Sequence, residues 1–286
     1  MQLKKELKVK RILVIGNPTN DATQDLIRST VKFLNECGCA CVFMDFGASN
    51  LKKKEGYDAT VYPADMALVF GGDGTILNAC RKLVESDIPV CGINLGHLGY
   101  LAAAEPSDCI ETLEKVIYGD YLVEKRITLV AEVDDKKYLG VNEVVLDRGG
   151  SPHLVKVTVS VNGHEVDNMR ADGVMVATPT GSTAYNLSAG GPVVSPTAKT
   201  LVMTPICAHS LAARPVVVGD EDVVTLRMQE GQESACLSLD GISVGPVRAG
   251  ATVTVRRGKN DVLLVRTGEN KFFATLRKKL SSDDQY

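Results

Sequence analysis

The stretch Met-Ala-Leu-Val-Phe-Gly-Gly-Asp-Gly-Thr, residues 66–75, decides how this chain folds. Its first five residues form a short apolar run of the kind found in buried strands, and Gly71-Gly72-Asp73-Gly74-Thr75 follows directly. A helix is predicted from Thr75 to Glu85. The glycines therefore stand at the carboxyl end of a strand, where open α/β sheets bind their ligands.

Strands and helices alternate on both sides of this stretch. Apolar strands are predicted at 11–16, 40–46 and 89–93, and helices at 21–36 and 108–118. This alternation predicts an α/β domain over residues 1–122, with a mostly parallel, doubly wound sheet.

From about residue 122 the pattern changes to short strands separated by turns. One strand is predicted at 138–146, and another at 154–161, where valines alternate with polar residues before Asn162-Gly163, a two-residue hairpin turn. We predict a β-rich, sandwich-like domain over 123–267 and a final segment, 268–286, that contains a helix. The fold class is thus α/β plus all-β.

Composition excludes several classes of protein. The chain has 286 residues, of which 44% are hydrophobic and 23% charged, and its net charge of −3 argues against a broad basic surface for nucleic acid. No apolar run approaches the ~18 residues of a membrane span. The apolar run at 12–15 is too short for a signal peptide, so we expect a cytoplasmic protein with reduced cysteines.

The glycine-rich loop predicts a phosphate site. Glycine lets backbone N–H groups approach a ligand closely, and a following helix adds the positive end of its dipole. Asp73 beside a bound phosphate could accept the proton of an attacking hydroxyl. A plain turn with Asp73 as helix N-cap is the alternative. The P-loop motif is absent, and Leu77 stands where Gly-x-Gly-x-x-Gly requires its third glycine.

A second group of polar residues lies in the β-rich half. The segment 181–186, Gly-Ser-Thr-Ala-Tyr-Asn, offers hydroxyls and a flat ring that suit a nucleobase or nicotinamide, although a Ser/Thr-rich turn has the same composition. Asn142-Glu143 interrupts an apolar run. A buried Glu143 would need a partner or a ligand, whereas a solvent-facing Glu143 would not.

Five segments resemble, in order, the motifs of NAD kinases. They are Gly71–Thr75, Asn94–Tyr100, Asn142-Glu143, 172–186 and 205–215. The resemblance spans residues 66 to 241 and implies phosphorylation of NAD at the 2′-hydroxyl of its adenosine ribose, giving NADP. The donor would be ATP, another nucleoside triphosphate or polyphosphate, with magnesium arriving on the ATP.

The resemblance also assigns residues to roles. Asp73 would be the catalytic base, and the phosphate loop would comprise Gly71, Gly72, Gly74 and Thr75. The NAD-binding residues would be Asp73, Gly74, Asn142, Glu143, His153, Arg170, Asp172, Thr183, Ala184, Tyr185, Asn186 and Ser188. No residue is expected to hold a metal by itself, and for His153 an exposed loop position is the alternative. The family further implies a homodimer or homotetramer and a C-terminal helix that returns to the first domain.

Other functions remain open at this point. A lipid or sugar kinase of the same superfamily would share the glycine loop, and a dinucleotide-binding regulator would bind without turnover. An oxidoreductase would need a catalytic His or Tyr-Lys group that is not evident. Two positions depart from the family pattern: Ala208 precedes His209 where relatives carry proline, and Ile242 follows Asp240-Gly241 where relatives carry a polar residue.

Overall fold

The computed structural model describes residues 6–16, 21–44, 63–96, 99–268 and 272–281. The end of the strand predicted at 40–46 and two residues of the 94–100 motif, His97 and Leu98, lie outside these ranges. Within them, no helix combines the length and the hydropathy needed to cross a membrane.

The first part of the chain alternates strands and helices as predicted. Its elements are β1 (Arg11–Gly16), α1 (Asp21–Glu36), β2 (Ala40–Met44), β3 (Met66–Gly71), α2 (Asp73–Leu83), β4 (Val90–Asn94), α3 (Cys109–Ile117) and β5 (Leu122–Arg126).

The second part is almost entirely β-structure. Its elements are β6 (Leu129–Val133), β7 (Lys136–Gly140), β8 (Glu143–Asp147), β9 (Val155–Val161), β10 (His164–Ala171), β11 (Gly173–Ala177), α4 (Tyr185–Ser188), β12 (Thr200–Ile206), β13 (Val216–Gly219), β14 (Val224–Met228), β15 (Ala235–Leu239), β16 (Ile242–Val247) and β17 (Thr252–Arg257). Two further elements, β18 (Val262–Arg266) and α5 (Phe272–Ser281), end the described chain.

The first sheet has the order β2-β1-β3-β4-β18-β5. Parallel pairing joins β2 to β1, β1 to β3, β3 to β4 and β4 to β18. All six residues of β3 are buried, as expected for a parallel strand covered on both faces. Apolar residues of α1 and α3, among them Leu34 and Leu113, share one core with Phe70 and Ile93 of the sheet.

Two antiparallel sheets form the β-rich part, with orders β10-β9-β14-β17-β6-β7 and β13-β12-β11-β8-β15-β16. They share one apolar core, to which Val157 and Leu226 contribute from one sheet and Leu146 and Val176 from the other. The predicted sandwich is therefore confirmed. The hairpin at Asn162-Gly163 is also confirmed, since both residues have positive φ, 51° and 81°, and the flanking residues pair.

The chain forms two compact units. Their limits differ from the predicted domain limits at 122 and 267. One unit runs up to Lys125 and resumes at Val262, and the other spans Arg126–Asp261. The difference arises because β5 and β18 both join the first sheet. In the first unit, the Phe272 ring of α5 lies 5.6 Å from the Tyr100 ring, and the Lys279 ammonium lies 4.6 Å from that same ring.

The strand predicted at 138–146 is wrong as a single element. The chain forms β7 and β8, which lie in different sheets, with Val141 and Asn142 between them. Val141, at the crossing point, is buried like the strand residues on either side, so its apolar side chain gave no sign of the break.

The sandwich core yields a stability prediction. Leu226 is 0% exposed, so Leu226→Ala should destabilise the protein by about 2–5 kcal/mol through lost burial and a residual cavity. The measurement is the free energy of unfolding in urea. Leu211, which is 97% exposed, provides the control: Leu211→Ala should change it by less than about 0.5 kcal/mol. Equal effects of the two substitutions would contradict the assigned core.

Candidate functional site

Helix α2 begins at Asp73, two residues earlier than predicted. Gly72 is the N-cap residue, in an extended conformation, and no side chain caps the helix. The Gly72 carbonyl accepts the N–H groups of Thr75 (3.0 Å) and Ile76 (3.1 Å). The alternative that Asp73 is an N-cap is therefore wrong, and the N-cap glycine has no side chain with which to accept the first-turn N–H groups of α2.

None of the three glycines of this loop has a positive φ, so turn geometry does not require glycine here. Their role is to let other atoms come close to the backbone. A Cβ on Gly71 would lie 2.5 Å from the Cβ of Thr75, so only glycine fits there. At Gly72 and Gly74, apart from chain neighbours and the helix's own backbone, no atom of the described residues lies within 4 Å of where a Cβ would stand. Open space therefore adjoins the backbone at the start of α2, which is suited to an anion.

The Asp73 carboxylate is held by the chain that follows β4. Its Oδ2 accepts the N–H of Tyr100 at 2.7 Å, and its Oδ1 accepts the N–H of Leu101 at 3.1 Å. A Cβ on Gly99 would lie only 2.1 Å from Oδ1. Asp73 is half-buried, and each of its oxygens retains a lone pair for a further contact.

In the second unit, one carboxylate fixes the backbone that carries Asn142 and Glu143. Asp240 accepts the N–H groups of Val141 (3.0 Å), Asn142 (2.7 Å) and Glu143 (3.3 Å). Asp240 and Gly241 form the turn between β15 and β16, with φ of 49° and 76°. Sequence reasoning missed this role, although an Asp-Gly pair between two strands is a recognised hairpin signal.

Glu143 is buried and electrostatically perturbed. Its residue is 5% exposed, and its Oε2 has no hydrogen-bond partner within the described part of the chain. Burial, with a smaller contribution from the charge of Asp240, raises the pKa of Glu143 from 4.5 to about 7. The solvent-facing alternative is therefore wrong, and an acceptor for a ligand stands ready in an enclosed position.

The loop predicted to hold a ring system packs directly against Asn142. The Thr178 N–H donates to the Asn142 carbonyl at 2.8 Å, and the Thr178 hydroxyl donates to the Val141 carbonyl at 2.6 Å. A Cβ on Gly181 would lie 2.2 Å from the Asn142 carbonyl oxygen. The fold thus brings two predicted groups, 142–143 and 181–186, into one cluster.

Within that loop the predicted residues divide into two kinds. Asn186 is fully buried: its Nδ2 donates to the carbonyls of Ser182 (3.2 Å) and Pro192 (3.1 Å), and its Oδ1 accepts the Thr204 hydroxyl at 2.7 Å. These internal hydrogen bonds show that Asn186 holds the loop. Surface remains available on four other residues: Thr183, Ala184, Tyr185 and Ser188.

Acidic residues surround Tyr185, which is 45% exposed. Burial and then the nearby charges, led by Asp147 and including Asp172, raise the pKa of its phenol. Asp172 is itself paired, since its Oδ1 lies 2.8 Å from Nε of Arg148. Sequence reasoning missed Arg148, because its charge carries no pattern that points to Asp172.

His153 and Arg170 line one groove of about 580 Å³, together with Arg148, Lys156 and Glu233 among others. Both side chains are exposed, so the exposed-loop alternative for His153 agrees with its position. The His209 N–H donates to the Arg170 carbonyl at 2.7 Å, which joins the backbones of these two residues. The groove is predominantly cationic and suits an anionic group.

Comparisons with known proteins agree across both halves of the chain. The family model described as ATP-NAD kinase N-terminal domain matches residues 12–121, and the ATP-NAD kinase C-terminal domain matches residues 141–267. A curated NAD kinase from Lachnoclostridium phytofermentans is 35% identical over 95% of this chain and 99% of its own length. Another, from Symbiobacterium thermophilum, is 44% identical over 76% of this chain and 78% of its own.

Solved structures give the same result. Yeast NADH kinase complexed with NADH superimposes with a TM-score of 0.83 at 25% identity, covering 97% of this chain and 89% of that one. An NAD kinase from Archaeoglobus fulgidus in complex with ATP gives a TM-score of 0.76 at 26% identity, covering 96% of this chain and 100% of that one.

The raised pKa of Glu143 gives a prediction about stability and pH. The Glu143 carboxyl has a pKa of about 7 in the folded protein and 4.5 when the chain is unfolded. The folded protein therefore loses stability as the pH rises from 4.5 through about 7, because only the unfolded form ionises freely in that range. Glu143→Gln should therefore stabilise the protein by about 1–3 kcal/mol more at pH 8 than at pH 5.

The measurement is the free energy of unfolding in urea at both pH values. The exposed Glu221 provides the control, since Glu221→Gln should show no such difference. The same effect of Glu143→Gln at pH 5 and pH 8 would contradict the assigned ionisation.

Proposed function

The chain belongs to the NAD kinase family and phosphorylates NAD with ATP, and from that premise we propose which residues carry the reaction. The accepting group is the 2′-hydroxyl of the adenosine ribose, and the product is NADP. Family models of NAD kinase match both halves of the chain, which decides against the lipid- or sugar-kinase alternative.

Asp73 is the catalytic base of this proposal. In the reaction, the 2′-hydroxyl oxygen bonds to the terminal phosphorus of ATP, the bond from that phosphorus to the bridging oxygen breaks, and ADP leaves. The hydroxyl proton passes to an Asp73 carboxylate oxygen. The observation that carries this assignment is the position of the Asp73 carboxylate at the first turn of α2. Two backbone amides hold it there, and its oxygens keep lone pairs that can accept the proton.

The start of α2 would hold the donor's phosphates. Gly72 and Gly74 leave open space beside the backbone, and the uncapped N–H groups and helix dipole favour negative charge. Gly71 and Thr75 shape the junction by their close packing. Polyphosphate or another nucleoside triphosphate would meet the same backbone N–H groups, because these groups would bind the phosphates and not a base.

The cluster in the second unit would bind the rings and riboses of NAD. Glu143 and Asn142 would accept and donate hydrogen bonds to ribose hydroxyls or the base, and Tyr185 would offer its ring. Thr183, Ala184, Ser188 and Asp172 would complete the contacts. Arg170 and His153 would face the diphosphate from the cationic groove.

Magnesium would be held mainly by the phosphates of ATP. The described residues contain no group of three or more His, Cys, Asp or Glu side chains that could hold a metal ion. The proposal is that the cation arrives with its nucleotide. When bound, the ion would neutralise phosphate charge. We further propose a cytoplasmic homodimer or homotetramer built through the β-rich unit, whose edge strand β13 exposes Val217.

The activity and the role of Asp73 are tested together. The purified protein, incubated with NAD, ATP and magnesium, should form NADP, detected with an NADP-specific dehydrogenase. Asp73→Asn should lower kcat by about 10²–10⁴-fold, because the amide cannot accept the proton. NAD binding without any turnover of the wild-type protein would instead favour the regulator alternative.

The control for Asp73→Asn is Asp65→Asn. Asp65 also accepts two backbone N–H groups, those of Lys10 and Arg11, but it precedes β3 whereas Asp73 follows it. Both variants replace a carboxylate that holds two amides, at opposite ends of β3, and Asp65 pairs in addition with the Arg11 guanidinium at 2.6 Å. Normal kcat for Asp73→Asn, or an equal loss for Asp65→Asn, would contradict the assignment.

The orientation of Asp73 gives a separate prediction. Gly99→Ala would place a methyl group 2.1 Å from Asp73 Oδ1 and displace the carboxylate, so kcat should fall about 10²-fold. Gly96→Ala, in the same connection, meets no described atom within 4 Å beyond its chain neighbours and should leave kcat nearly unchanged. Steady-state kinetics of both variants make the comparison, and similar kcat values would refute this picture.

A further inference from the structure

The side chain of Arg266, the last residue of β18, donates to one short segment of chain. Its Nη1 donates to the carbonyls of Leu101 (2.9 Å) and Ala102 (2.7 Å), and its Nη2 donates to the carbonyl of Tyr100 (3.0 Å). Its Nε donates to Oε1 of Glu124 at 3.2 Å. The guanidinium therefore binds three successive carbonyls and one carboxylate.

This arrangement is enclosed. The side chain of Arg266 is 16% exposed and that of Glu124 is 10% exposed. A guanidinium hydrogen bond is strengthened where water is scarce, and buried carbonyls that lose their donor are costly. The segment 100–102 is thus fixed from the side of β18.

The same segment holds the catalytic base. Tyr100 and Leu101 turn their carbonyls to Arg266 and their N–H groups to the carboxylate of Asp73. One peptide segment therefore lies between a fixed cation and the carboxylate that is to accept the proton. Movement of the segment would move Asp73.

We propose that Arg266 is a positioning residue for the phosphoryl transfer, acting through segment 100–102 on the orientation of Asp73. The inference rests on the proposed role of Asp73. In this proposal Arg266 does not contact a ligand. Its substitution should therefore change the rate of the chemical step, kcat, and not the binding of NAD and ATP.

Arginine is required here for its shape as well as its charge. Three nitrogens of one planar group reach four acceptors, and a lysine ammonium on a single atom cannot reproduce that fork. Arg266→Lys should keep the charge yet release part of the segment. We expect kcat to fall about 10–100-fold, with KM for NAD and for ATP changed less than about threefold.

The decisive experiment is a double-mutant cycle with Asp73→Asn. If Arg266 acts through Asp73, Arg266→Lys should cause little further loss of kcat once the carboxylate has been replaced. Full additivity of the two losses, or a rise in KM without a fall in kcat, would overturn the inference. The control is Arg256→Lys: Arg256 forms a more exposed ion pair with Glu132 at 2.9 Å, and its substitution should leave kcat unchanged.

A second variant guards against a failure of Arg266→Lys to fold. Glu124→Gln keeps an acceptor for Nε and removes only the charge that helps to hold the guanidinium. It should lower kcat about 3–10-fold in the wild-type background and have little effect in the Asp73→Asn background. An equal fall in kcat in both backgrounds would overturn the inference. An inactive wild-type protein would instead refute the proposed function, which keeps the two failures distinct.

Discussion

The two hydrogen bonds from the amides of Tyr100 and Leu101 to Asp73 constrain the first unit around one carboxylate. They join the junction of β3 and α2 to the chain that follows β4. Parallel neighbours place their carboxyl ends at one edge of a sheet, and β3, β4 and β18 are consecutive in the strand order. That order allows Arg266 to reach the same segment from its other side.

The second unit uses the same device with a different strand arrangement. Asp240 accepts the amides of residues 141–143 at the point where the chain passes from one sheet to the other. A carboxylate is well suited to this task, since it offers about four acceptor positions to amides that have left a sheet ladder. The cost is a nearby negative charge, which adds to burial in raising the pKa of Glu143.

The residues around Asp73 and those around Glu143 are of two kinds. Some use their hydrogen-bonding groups within the protein, and others leave them available. Asn186 and Arg266 direct their polar atoms to neighbouring backbone and side-chain groups. Glu143 Oε2 has no hydrogen-bond partner among the described residues, Tyr185 is 45% exposed, and Asp73 is half-buried. Rigid support around a few accessible groups is what a site needs in order to hold a ligand in one geometry.

Local pattern in the sequence determined the α/β and β-rich halves, the strand before Gly71, the hairpin at Asn162-Gly163 and the family resemblance. It did so because periodicity, turn residues and glycines record short-range geometry. Tertiary structure alone decided that β18 joins the first sheet, that Asn186 points inward and that Arg266 meets Leu101, 165 residues away in the chain. Such pairings depend on which strands become neighbours, and the residues themselves carry no local mark of that choice.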